Sequence, residues 1–133
     1  MLLSVTRALN LDPLTKDTAD FVEQTMVLPF MDNSSGIRVD FIFSFTPYEK
    51  EAIGRSRKIL ILNQTVHFSS PEDLIIHKLF AGRPRYLEDA RIIILKNPDM
   101  DFHYIRQWLK EFDESSDRKD LVEMFNSILK DNA

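Results

Sequence analysis

The sequence predicts an α+β fold with an α/β core, a small mixed or antiparallel sheet from residues 1–68 packed by a group of helices from residues 69–133. Two observations carry this. The one long alternating run, Ile37-Arg38-Val39-Asp40-Phe41-Ile42-Phe43-Ser44-Phe45, lies in the first half, and the longest stretches of 3.6-residue periodicity lie after Ser69. A chain of 133 residues, 44% hydrophobic and 29% charged, with ten Phe against three Gly, makes a single folded domain and excludes a disordered or low-complexity protein.

Residues 2–9 space Leu2, Leu3, Val5 and Leu9 as a short helix that stops at Asn10-Leu11-Asp12-Pro13. After a polar link, residues 25–30 read as a strand, and Pro29 argues for an edge or strand-end position. The loop 32–36 turns the chain into the strand 37–45. Its Ile37, Val39, Phe41, Phe43 and Phe45 are expected to face a core, with Arg38, Asp40, Ile42 and Ser44 on the other side. Pro47 opens a helix through Ile53, and strands 59–62 and 65–68 flank an Asn63-Gln64 turn. Ser70 before Pro71, with Glu72 and Asp73 in the first turn, starts a helix that Gly82 and Pro84 end. Helices follow over 85–96, 102–112 and 118–130, the last two burying one apolar stripe each.

Seventeen Lys plus Arg against 21 Asp plus Glu give a net charge of −4, so no global field attracts nucleic acid and any anion site is a local pocket. The absence of cysteine excludes a thiolate metal site and fits a reducing compartment. No apolar run approaches the roughly 18 residues that span a bilayer, and the opening residues lack a signal-peptide pattern; a cytoplasmic protein with no membrane partner is expected.

Few residues carry a chemical signal. On a helical wheel Lys78 falls inside the apolar arc between Leu74 and Ile75. There it needs a protein carboxylate or a ligand phosphate, unless its stem packs and its head reaches water. Arg83 and Arg85 place two guanidinium forks at a helix junction, suited to phosphate oxygens or to ordinary loop exposure. Asp89, one turn after Arg85, is placed for an i,i+4 ion pair with it, and Tyr86 reads as core. Asp40 is positioned to bind a divalent metal or to pair with Arg38. Asp99-Met100-Asp101 reads as helix capping, and the three His lie on separate elements without ligand spacing.

The order Arg38-Val39-Asp40-Phe41-Ile42-Phe43, Pro47-Tyr48-Glu49, Ala52-Ile53, then Ser70 through Arg85 and Leu87-Glu88-Asp89, resembles nucleotidyltransferases of the DNA polymerase beta-like superfamily, in the group similar to abortive-infection toxins. The resemblance covers roughly residues 22–112. It implies carboxylates holding two magnesium ions (Mg2+) that clamp a nucleoside triphosphate during nucleotidyl transfer. By position Asp40 looks like the third of those carboxylates, catalytic and metal-binding. Lys78 looks like the family lysine near the phosphates; Arg83, Arg85 and Asp89 match the polar positions after it, and Arg38 joins the substrate-binding set. Where the family has an Asp after the basic residue, Tyr86 stands here, and no Gly-Gly or Gly-Ser turn with Asp-x-Asp precedes Asp40. The chain thus looks like a truncated family member lacking its first βαβ portion. A catalytically impaired nucleotidyltransferase is expected, or alternatively a non-catalytic interaction protein or partner of a complete nucleotidyltransferase. A homodimer through an exposed sheet edge at 25–30 is expected as well.

Overall fold

In the computed structural model, which describes residues 1–131, every strand pairing is antiparallel, within one sheet of three strands and one of two. The class is α+β as predicted, in its antiparallel form. Contacts divide the chain between Thr46 and Pro47 into two compact units, so the second sheet belongs with the helices, not with the first sheet.

In the first unit, α1 (Leu2–Ala8) ends where Asn10 adopts a φ of 54° and turns the chain into β1 (Leu11–Pro13). Next comes α2 (Thr18–Thr25), in a stretch the sequence presents only as a polar link. Asp17 caps it by accepting from the Asp20 amide, and Met26 ends it in the left-handed region with a φ of 56°. β2 (Val27–Asp32) and β3 (Ile37–Ile42) complete the sheet in the order β1-β2-β3.

The segment 25–30 is therefore not the expected edge, because β2 is the central strand and pairs on both sides. Pro29 is tolerated there because the β1 ladder stops at the Pro13–Phe30 pair. The missing amide falls at the ladder's end, where the Pro29 carbonyl still accepts from the Leu14 amide at 2.9 Å. Leu28 and Phe30 are buried, and Phe30 meets Phe41 edge-on at 5.5 Å, while Ile37 and Phe45 are exposed instead of core-facing.

The second unit begins with α3 (Pro47–Gly54) and the hairpin of β4 (Arg57–Ile61) and β5 (Gln64–Phe68). Its turn is Leu62-Asn63, one residue earlier than expected. The remainder is helical: α4 (Pro71–Ala81), α5 (Pro84–Lys96), α6 (Phe102–Ser115) and α7 (Leu121–Asp131). The central α4 packs against α5, α6 and α7 and buries Ile75, Ile76 and Leu79 among Ala90, Ile105, Leu109, Leu121 and Phe125. The Gly82 C-cap, at φ 64°, lets α5 follow after Arg83 alone and so brings the start of α5 beside the last turns of α4. None of the described helices is long and apolar enough to cross a membrane.

Candidate functional site

Asp40 lies on β3 in the first unit, and the alternation of that strand puts it on the same side as Arg38. The Arg38 Nε donates to Asp40 Oδ1 at 2.7 Å, so one carboxyl oxygen is engaged by a cation of the same strand. Across the ladder Asp40 faces Pro29, with Met31 opposite Arg38 and Val27 opposite Ile42. Asp12 shares that side of the sheet, since it pairs with Met31, but stands two strands away, about 10 Å by strand spacing alone. Asp12 is also engaged, accepting from the side-chain amide of Asn33. Of the acids between β1 and β2, Asp17 is used as the cap of α2, and Asp20 and Glu23 lie on that helix.

Magnesium demands octahedral oxygen coordination, commonly one or two carboxylates completed by phosphate and water. A pair of such ions needs several acids at one place. One carboxyl group, paired with Arg38 and flanked by Pro29, Met31 and Ile42, does not fit that pair. Among the described residues no group of three or more His, Asp or Glu side chains is placed to hold a metal ion.

The second cluster belongs to the α4–α5 junction of the second unit. Lys78 meets the protein carboxylate its position requires, donating to Asp89 Oδ2 at 2.7 Å across the two helices. The expected i,i+4 pair of Asp89 with Arg85 is replaced by this contact. The Lys78 hydrogen bond holds the Asp89 carboxyl below its usual range, and the Arg85 charge adds to the effect. Tyr86 is not simply a core residue. Its half-buried ring carries the Lys78 ammonium at 4.4 Å from its centre and the Arg83 guanidinium at 5.4 Å, and its hydroxyl accepts from Arg83 at 3.3 Å. The chain thus brings together Lys78, Arg83, Tyr86 and Asp89. An anion reaching this place must displace Asp89 from Lys78 or settle for Arg83, with Arg85 near enough for its charge to act on Asp89.

A third polar group escaped the sequence reading. At the start of α4, Ser70 accepts from the Asp73 amide at 3.1 Å and donates to Asp73 Oδ2, while the Tyr104 hydroxyl of α6 donates to Asp73 Oδ1 at 2.9 Å. Asp73 is fully buried. The Arg55 guanidinium stacks on the Tyr104 ring at 3.8 Å. It stands 3.6 Å from Asp73 and 3.7 Å from Glu72, ion-pair distances too long for hydrogen bonds. Glu72 in turn accepts from the Asp101 amide at 3.2 Å, in the residue that caps α6. Burial, reinforced by Asp73, pushes the phenols of Tyr48 and Tyr104 above the ordinary tyrosine range. Ser70-Pro71-Glu72-Asp73 announces a helix start. Only the i,i+4 spacing of Tyr104 with Trp108, beside the stripe of Ile105 and Leu109, hints that a hydroxyl points back at it from the core side. This group ties α3, α4 and α6 together and holds no reactive arrangement.

Comparison with known proteins finds no family model, no curated protein and no solved structure that matches this chain.

Proposed function

We propose that this chain is a nucleotidyltransferase-like protein that does not transfer nucleotide by itself and acts in the cytoplasm as a non-catalytic interaction protein. The observation that most supports this is the Arg38–Asp40 pair at 2.7 Å: the residue matched to a metal-binding carboxylate is engaged by a neighbouring cation, faces Pro29 across the ladder, and belongs to no metal-binding group of three or more acids or histidines among the described residues. The Lys78–Asp89 contact supports it independently, because the cation matched to the phosphate-binding lysine already has its counter-charge. On this reading a nucleoside triphosphate is at most a weak ligand, held through Lys78, Arg83 and Arg85 and indifferent to magnesium. Titration calorimetry with ATP, with and without Mg2+, tests it. Weak binding that is equal in both conditions and reduced by Lys78→Ala is expected. Tight binding that requires magnesium and disappears in Asp40→Ala overturns it.

A further inference from the structure

Within the second unit no other described element packs closely on the β4–β5 hairpin, and all residues of both strands are exposed. Its two-residue turn has φ of 47° at Leu62 and 63° at Asn63, the signs of a type I′ turn. Such a turn makes Ile61–Gln64 a hydrogen-bonded pair, and by the antiparallel alternation Ile59–Val66 and Arg57–Phe68 as well. The amides and carbonyls of Lys58 and Leu60 therefore point outward along the free edge of β4, and those of Thr65 and His67 along the edge of β5. One face of the hairpin carries Ile59, Ile61, Val66 and Phe68, each 37–45% exposed. Leu62, 93% exposed, occupies a left-handed position that suits Asn or Gly, so an apolar side chain is presented to solvent against local strain. Within a chain of net charge −4, residues 52–71 contain Arg55, Arg57, Lys58 and His67 and no acid.

We propose that the β4 edge is a docking site for an extended segment of another protein in which apolar and acidic residues alternate, added as a third strand. Main-chain groups of Lys58 and Leu60 supply its hydrogen bonds, Ile59 and Ile61 meet its apolar side chains, and Lys58 meets its acids on the opposite face. A lone two-stranded hairpin is marginal in water, and a third strand with an apolar face relieves that. A second copy fits less well, because pairing β4 with β4 gathers two sets of Arg57 and Lys58 in one sheet. A lipid surface fits less well too, because it leaves the outward amides and carbonyls without partners. The proposal stands apart from the nucleotide reading, since none of its residues belongs to the Asp40 or Lys78 clusters.

The test is amide exchange by NMR on the isotope-labelled full chain, titrated with a short synthetic peptide alternating valine and glutamate and, as control, one alternating valine and lysine. Saturable binding of the glutamate peptide is expected, slowing exchange at Lys58 and Leu60 by about tenfold or more while Thr65 and His67 are unchanged. Lys58→Pro, which removes an edge amide and no ladder donor, should abolish binding. Thr65→Pro should leave it intact, and Lys58→Glu should weaken it by about tenfold. Failure of the glutamate peptide to bind, equal binding of the lysine peptide, protection along β5, or binding that survives both Lys58 variants overturns the proposal. So does hairpin-dependent self-association without peptide, or binding to phosphatidylserine vesicles in its place.

Discussion

Tyr104→Phe removes a single hydroxyl from the most buried polar group of the second unit and leaves the ring that Arg55 stacks on. The hydroxyl donates to Asp73 at 2.9 Å, with Tyr104 7% exposed and Asp73 0%. A hydrogen bond to a charged group at a buried site contributes about 1.5 to 3 kcal/mol, so about 2 kcal/mol is the expected loss. Ser70 still donates to Asp73, and Arg55 remains 3.6 Å away, which keeps the loss below the roughly 3 to 5 kcal/mol of stripping a buried charge of its partner. At about 5 °C per kcal/mol for a unit of this size, Tm should drop by roughly 10 °C. Urea unfolding should show a lower midpoint at unchanged slope. Because Ser70 and Tyr104 donate to the two oxygens of one carboxylate, the double variant with Ser70→Ala should deviate from additivity by about 0.5 kcal/mol or more. A loss under about 0.5 kcal/mol, or strict additivity, refutes the claim that Asp73 organises this unit.

Three further outcomes follow from the same geometry. Gly82→Ala places a Cβ 2.5 Å from Arg118 Nη1, which donates to the Phe80 carbonyl at 3.0 Å, and does so at a φ of 64°. Urea midpoints should report a loss of about 1 to 2 kcal/mol that shrinks toward the backbone strain alone in an Arg118→Ala background, and an equal loss in both backgrounds contradicts the contact. Tyr48 and Tyr104 have raised pKa values in the folded chain, chiefly through burial, so their contribution to stability is complete below their ordinary value of 10.0 and is lost as pH rises beyond it. Ultraviolet titration should show these two phenols ionising only together with unfolding; ionisation near pH 10.0 in the intact fold contradicts their burial. The hydroxyls of Ser34 and Ser35 hold Asp32 down to about 2 from its ordinary 3.8, so this carboxylate stabilises the β2–β3 turn above pH 3.8 and ceases to as pH falls toward 2. Carboxyl NMR of the Ser34→Ala, Ser35→Ala double variant should find Asp32 raised from about 2 toward 3.8, with the residue-34 amide still holding it below that value, and a value that stays near 2 denies those hydroxyls their role.

Much of the fold is readable in the chain where local chemistry is unambiguous. Ser70, Pro71 and Gly82 bracket α4 as cap, first-turn proline and left-handed stop, and α6 and α7 carry single apolar stripes. α2 escapes the pattern because it exposes most of its residues and ends at Met26, a residue that gives no C-cap signal while adopting a glycine-like φ of 56°. The hairpin slips by one residue for a related reason, since Leu62 occupies a turn position where Asn or Gly is the usual sign. Pro29 misleads about the edge because a ladder's end tolerates it as well as an edge does. In the site, the ionic demand of Lys78 is legible from its helical phase. Its choice of Asp89 over a ligand depends on how α4 and α5 meet, and the convergence of Tyr104 on Asp73 depends on helix packing across 31 positions. No short-range pattern encodes either.

The claim that this chain does not transfer nucleotide by itself is tested most directly by incubating it with α-labelled nucleoside triphosphates and Mg2+ and following label into protein, RNA and small-molecule acceptors. No incorporation above background is predicted, with Arg38→Ala and Asp40→Ala indistinguishable from the parent chain. Magnesium-dependent labelling that vanishes in Asp40→Ala contradicts the account.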